Sequence, residues 1–350
     1  MVIVLLLSAV RSAAAFETDQ FNLSPVPLAD IGDEISQYVA TKIADAVRNV
    51  NADIAKRLTC LQTPVETKGC RSKAEEQKRL EYLRSDEAIV HEVFKQLGDG
   101  NIFRTKFGKW VNSHDFQAAP ARYKTGYFES IYVAAPANYV TISPTINMYG
   151  TEFGTDKLEH FFQQGYSYYT IRHEALSMGA EEAAAVQKAV EWGQKTERTY
   201  YGLLVSGVYS NADLYANYTG MRFYEGLTGT VTVGETTRPP IIAQQDGTWQ
   251  IKEPATVSDD LLRPFISEHL NEALNPSGYA FTIFASVRLM VKKRACDDWH
   301  TRYPAMTAEE LDQKAADLEL WHDEDYGNMP RGRLLRLSEV CFGPVKERAG

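Results

Sequence analysis

Apart from its first dozen residues, the chain lacks any long apolar run, and this excludes a membrane-spanning helix in the remainder. Positive charge is also scarce: 37 Lys and Arg stand against 46 Asp and Glu, a net charge of −9 over 350 residues. Phosphate backbones need clustered cations, so no nucleic-acid partner is expected. The one dense basic cluster, Lys292-Lys293-Arg294, follows an apolar helical stretch and is expected to be a solvated helix end. There are only four cysteines, with no CxxC and no nearby His pair, which argues against a structural zinc site. No G-x-S-x-G elbow surrounds Ser206 or Ser210, so a serine nucleophile is not expected. Internal repeats and low-complexity tracts are absent, and no cofactor is expected.

The start of the chain is informative. "VIVLLLSAV" is too short to span a bilayer, and "SAAAFETD" follows with small residues at Ala13 and Ala15. This is the pattern of a secretory signal peptide over 1–15, although its n-region lacks the usual Lys or Arg. Cleavage after Ala15 would give a periplasmic or secreted protein that does not span the membrane. In that compartment Cys60, Cys70, Cys296 and Cys341 are expected to form two disulfides. Three pairings are open in principle, and sequence proximity favours Cys60–Cys70 and Cys296–Cys341.

Periodicity predicts a mainly α fold, a multi-helix bundle with small β-hairpin insertions. Residues 29–58 place Ile31, Ile35, Val39, Ile43, Val47, Val50 and Ile54 at three- and four-residue spacing, one amphipathic helix. A second is predicted over 72–97, and the two would form an N-terminal hairpin within a region spanning 16–125. From 126 to 350 a helical core is expected. "ESIYVAAPANYVTISPTINMYG" alternates like short strands. Helices are predicted near 156–178, 181–200, 211–224, 259–274, 280–295 and 307–322, with a β-rich connector over 228–258 that turns at Asp246-Gly247.

Two patches within 154–226 carry the functional signal. In "GTDKLEHFFQQGYSYY", Asp156, His160 and Gln164 recur every fourth residue and share one helix face, amid aromatic bulk. In "GVYSNADLYANYTG", Ser210 is a good N-cap and Asp213 falls in the first turn, where a carboxylate suits the helix dipole. Asn217 lies on the same face as Asp213, and Gly220 on that stripe would let another helix approach closely. Between the patches, Glu197 ends a helix.

These blocks resemble the pattern of the VanZ-like and YfiM-like cell-envelope proteins, D-K-x-x-H-F, then a Glu, then G-x-S-x-x-D-L-x-A-N-x-x-G. The matching positions are Asp156, Lys157, His160 and Phe161, then Glu197, then Ser210, Asp213, Leu214, Ala216, Asn217 and Gly220. The resemblance covers about 155–226 and departs at Glu159, where a small residue is the pattern, and in a longer, more polar spacer over Ala180 to Val190. VanZ-like members are membrane-embedded, unlike this chain. A shared helical unit at the cell envelope is what the resemblance implies; it brings no settled reaction.

Three readings of the constellation stay open. The sharpest is a glycoside hydrolase acting on peptidoglycan, its partner a cell-wall glycan. Glu197, its pKa raised among aromatics, would donate the proton, and Asp213 would steady the oxocarbenium or activate water. His160, held by Asp156, would tune the pair, while Asn217, Gln164, Tyr200, Tyr201 and Tyr209 would bind sugar. The second is a metal-assisted hydrolase using His160, Asp156 and a further carboxylate. The third is non-catalytic: a buried polar network that specifies helix packing, within an envelope-binding or structural protein. Every reading expects Asp156, His160, Glu197, Asp213 and Asn217 to converge.

Overall fold

The computed structural model describes residues 16–63, 69–101, 104–252, 261–329 and 333–343. The expected leader over 1–15 lies outside the described residues. Within them the fold is mainly α, with a few short two-stranded sheets.

Strand β1 (Glu17–Thr18) leads into α1 (Gly32–Gln62), whose apolar stripe from Ile35 to Ile54 is buried. The predicted second helix is two: α2 (Lys73–Leu83) and α3 (Asp86–Leu97). Ser85 breaks it by capping the new helix, its hydroxyl accepting from Ala88 N at 3.3 Å. That cap satisfies a free amide, so a fresh helix start costs little. The Cys60–Cys70 disulfide closes the α1–α2 connection, and Cys296–Cys341 ties the C-terminal segment back onto the helix that begins at Cys296. Both pairs are those favoured by proximity.

Helix α4 (Lys106–Ser113) follows. The strand pattern expected over the next segment is mostly 3₁₀ turns between Tyr127 and Val140, because Pro136 and the Ser130 cap favour tight turns. Strands appear only at β2 (Ile142–Ser143), β3 (Thr145–Met148) and β4 (Thr151–Gly154). β1 pairs in parallel with β2, and β3 antiparallel with β4. Next come α5 (Thr155–Ser177), α6 (Glu182–Glu197), β5 (Val208–Tyr209) and α7 (Asn211–Thr228).

Helices α5 and α7 make the tightest pairing. A Cβ on Gly165 would lie 2.6 Å from Gly220 Cα, and one on Gly220 would lie 2.1 Å from Phe161 O. The two backbones therefore meet where only glycine fits, as expected for Gly220. Hairpins β6 (Val231–Val233) with β7 (Thr236–Arg238), and β8 (Ile242–Gln245) with β9 (Thr248–Ile251), form the connector. Asp246 and Gly247, at φ 51° and 78°, turn the second as anticipated.

The helix expected near 259–274 is absent: from Leu261 onward the chain makes two 3₁₀ turns, Arg263–Phe265 and Glu268–Leu270. Pro264 cannot supply an amide for a continuing helix, and Asn271 Oδ1 instead accepts from Ala273 N at 2.9 Å, a local bond that competes with helix. Strand β10 (Gly278–Tyr279), unforeseen, pairs with β5. Helix α8 (Phe281–Met290) runs through a π turn at Val291–Ala295 into α9 (Cys296–Arg302), and α10 (Ala308–Asp317) follows.

Two apolar cores result. The larger joins α1, α3, α5 and α7 through Ile35, Val93, Phe161, Phe162, Leu214 and Phe223. The smaller gathers Phe21, Ile131, Tyr132, Val208, Ile283, Val287 and Trp299. The polar cluster is assembled from segments of both.

Candidate functional site

The first turns of α5 and α7, the end of α6, β1 and the loop around Glu272 bring ionisable side chains together. Glu17, Asp156, Lys157, Glu197, Asp213 and Glu272 are each at most 1 % exposed. Burying an ammonium is tolerable only with excellent partners, and Lys157 has them. Its Nζ donates to Asp156 Oδ2 at 2.8 Å and to Asp213 Oδ1 and Glu272 Oε1 at 2.6 Å each. All three ammonium donors are thus used. Burial works against the charged form of Lys157, but Asp156, Asp213 and Glu272 outweigh it and hold its pKa well above the usual lysine range.

The remaining lone pairs of Asp156 and Glu272 are also supplied. Thr18 donates to Asp156 Oδ1. Ser210 Oγ donates to Glu272 Oε1 at 2.7 Å, Tyr132 Oη to Glu272 Oε2 at 3.3 Å, and Ser210 Oγ accepts from Asp213 N at 3.1 Å, the foreseen N-cap. Burial raises the Glu272 carboxyl to about 6, with Lys157 opposing. Burial, and then the charges of Glu272 and Asp213, raise Glu17 well above the ordinary carboxylate range.

On the other side of Asp213 the bonding is incomplete. His160 Nδ1 lies 3.2 Å from Asn217 Oδ1. An amide oxygen only accepts, so Nδ1 carries the proton and Nε2 of a neutral ring presents its lone pair. It presents it to Asp213 Oδ2, 3.5 Å away, which has no hydrogen-bond partner. Glu197 Oε1 is equally unpartnered and buried, while Ser210 N donates to Oε2 at 3.4 Å. The ligand atoms of His160, Glu197 and Asp213 all lie within 4.8 Å of one another. Three acceptors facing one another without a donor repel unless a proton or a cation stands between them. Burial, and then the Asp213 charge, raise the Glu197 carboxyl well above the ordinary range.

Asp156, His160, Glu197, Asp213 and Asn217 therefore do meet. The role expected for Asp156 is not the observed one: Lys157 and Thr18 hold it, and His160 is oriented by Asn217. The sugar-stacking role expected of Tyr209 is also unmet, because its ring is fully buried in the core. Gln164, Tyr200 and Tyr201 stand apart from the acid cluster. With Trp192, Phe94 and Ser167 they line a cleft of about 710 Å³ beside the next turn of α5. Tyr201 leads into Gly202, where a Cβ would lie 2.6 Å from Glu197 Oε2, so this turn lies directly over the acid. Glu159, the departure from the family pattern, pairs with Arg104 and accepts from Thr105 N at 3.1 Å.

Glu17 and Glu272 were missed in the sequence, and Lys157 was seen only as part of a motif. The Asp156-Lys157 dyad in an apolar helix was the available signal. Neither Glu17 nor Glu272 lies in a recognisable pattern. No family model matches the chain, and neither a curated protein nor a solved structure was found to resemble it.

Proposed function

We propose that the chain is a metal-assisted hydrolase of the cell envelope, with His160, Glu197 and Asp213 as the ligands of a divalent cation. The observation that carries this is two buried carboxylate oxygens without hydrogen-bond partners, Oε1 of Glu197 and Oδ2 of Asp213, in a group of three ligand residues whose third member, His160, sets Nε2 3.5 Å from Asp213 Oδ2. One imidazole and two carboxylates are a donor set suited to a first-row divalent ion, and three protein ligands leave a position for water. A cation there supplies Lewis acidity and lowers the pKa of a bound water. Asn217 fixes the tautomer that frees Nε2, as an outer partner of a metal-bound histidine does. Lys157 holds the other oxygen of Asp213 and sets that carboxylate's orientation.

The cleft beside Gln164, Tyr200 and Tyr201 is the proposed approach for substrate, and cell-wall glycan is the proposed class. Aromatic rings with amide and hydroxyl groups suit a sugar, and the VanZ-like and YfiM-like resemblance supports an envelope setting. Two disulfides fit an oxidising compartment. Among the described residues no helix is long and apolar enough to cross a membrane.

A second reading rests on the raised pKa of Glu197: a carboxyl group whose burial favours its protonated form, close to a second carboxyl group, is the pairing a glycosidase uses. Digestion of purified sacculi, with and without chelator, separates the readings. The proposal expects release of soluble fragments that chelator abolishes and added metal restores. Activity indifferent to chelator favours the acid–carboxylate reading, and no release from several peptidoglycan types favours a structural network.

A further inference from the structure

Three segments meet at Ser206 and Gly207, where the second patch begins. Asn138 Nδ2 donates to Ser206 O at 3.1 Å, and Ala280 N donates to Gly207 O at 2.8 Å. Around this junction the surface is unusually apolar. Tyr139 and Val140 follow Asn138, Leu204 precedes Ser206, and Phe281 follows Ala280. Phe128 packs near Tyr139, with ring centroids 6.3 Å apart, and Leu289 lies two turns beyond Phe281 on α8. These six are 60–76 % exposed. Isolated exposed apolar side chains need no explanation, but a gathered set marks an interaction surface.

The charge beside it has one sign. Phe281–Ala295 carries Arg288, Lys292, Lys293 and Arg294, all exposed, and no acid, in a chain whose net charge is −9. Ile283, Val287 and Val291 anchor this segment in the smaller core, so its outer face is held rigid with Phe281, Leu289 and the basic run displayed. Arg333 lies 4.6 Å over the Phe281 ring and adds a cation at the patch. The nearby acids include Glu129, next to Phe128, Asp297 and Asp298 beyond the basic run, and Glu339, two residues from the Cys341 that bonds Cys296.

We propose that this patch seats the protein on the surface of an anionic lipid bilayer. The six apolar side chains enter the boundary between headgroups and acyl chains, and the basic run meets lipid phosphates. Charge complementarity selects a bilayer over a neutral apolar partner. Glu17 N donates to Thr141 O at 3.3 Å, which sets the first described residues of the chain close to Val140. The leader is therefore the competing occupant.

The test is co-sedimentation of the processed protein with vesicles of phosphatidylcholine alone or with added phosphatidylglycerol, at low and high salt. The expected result is binding to the anionic vesicles that salt weakens. Leu204→Ser with Phe281→Ser should weaken it at least ~10-fold, as expected for losing two apolar anchors. Lys292→Glu with Lys293→Glu should remove the preference for anionic lipid, each lost basic residue being worth roughly five-fold. All four positions are exposed, so unchanged thermal melts separate lost binding from lost folding. Failure of the wild type to bind anionic vesicles at low salt overturns the proposal, as does undiminished binding by the double Ser variant. Binding only by unprocessed chain assigns lipid attachment to the leader and not to the patch, and a wild-type dimer that the Ser variant dissociates assigns the patch to a second copy; either result also overturns it.

Discussion

At Lys157, three charge-assisted hydrogen bonds replace the water lost when the ammonium was buried. Pairs of this kind contribute little net stability compared with an apolar replacement of the whole set, but removing one partner strands the others. Lys157→Met should therefore destabilise the chain by about 3–5 kcal/mol, because Asp156, Asp213 and Glu272 would be left facing one another unneutralised. Urea unfolding of the variant checks this, and a loss within about 0.5 kcal/mol, typical of ordinary surface substitutions, would remove Lys157 from the centre of the account. Much at this scale was legible in sequence. The four-residue spacing of Asp156, His160 and Gln164 and the Ser210–Asp213 cap both declared a helix face with polar purpose. The hub was not legible: Lys157 and Glu272 are 115 residues apart, and only the tertiary fold brings them together. Nor does spacing reveal which partner a histidine will find: the catalytic reading pairs Asp156 with His160 and gives Asn217 to substrate, whereas His160 meets Asn217 and Asp213.

Among elements, the contact between α5 and α7 sets the site, because α5 brings Asp156, Lys157 and His160 while α7 brings Asp213 and Asn217. Gly165 and Gly220 let the two backbones approach until no side chain fits between them. Alanine at Gly165 gains roughly 0.8–1.0 kcal/mol of helix propensity. Its methyl would stand 2.6 Å from the Gly220 backbone, which cannot yield as a side chain can. Overpacking of this kind costs about 1–3 kcal/mol, so Gly165→Ala should lower stability, and should also weaken metal binding by moving His160 away from Asp213. A variant more stable than wild type, by thermal melt, would show that the helices do not depend on this close approach. Element boundaries were the weak part of the sequence reading. Apolar periodicity continues through Ser85, so 72–97 looked like one helix, whereas the local cap at Ser85 decided the matter. Over 259–274 the periodicity suggested helix, and Pro264 with the Asn271 side chain prevented it.

For the whole molecule, pH dependence offers a check that leaves the acid cluster aside. His269 is largely buried, and the shielding of its ring from water lowers its pKa below the usual histidine value near 6.5. Its neutral ring donates Nε2–H to Leu320 O at 2.9 Å and stacks on Tyr215 with centroids 4.6 Å apart. Because the folded pKa lies below the unfolded one, the unfolded chain binds the extra proton first as pH falls. The stability due to this group is present above about pH 6.5 and declines below it, with a limiting slope of about 1.4 kcal/mol per pH unit. His269→Gln should flatten the unfolding free energy between pH 6.5 and the carboxylate range; an unchanged slope would show that His269 titrates alike in both states. Both disulfides also belong to this scale. Intact mass with and without reductant, after thiol alkylation, should show four cysteines labelled only after reduction.

The cation at His160, Glu197 and Asp213 is the claim on which the functional reading depends, and metal content tests it most directly. Protein purified without chelator, then dialysed against zinc or manganese and freed of excess, should retain one ion per chain by elemental mass spectrometry. His160→Ala and Asp213→Asn should each retain none while remaining folded by circular dichroism, and Asn217→Ala should bind ~10–100-fold more weakly, the usual effect of removing an outer-shell partner. Wild type that retains no zinc, manganese or other divalent ion, or a folded Asp213→Asn that retains as much as wild type, would contradict the account.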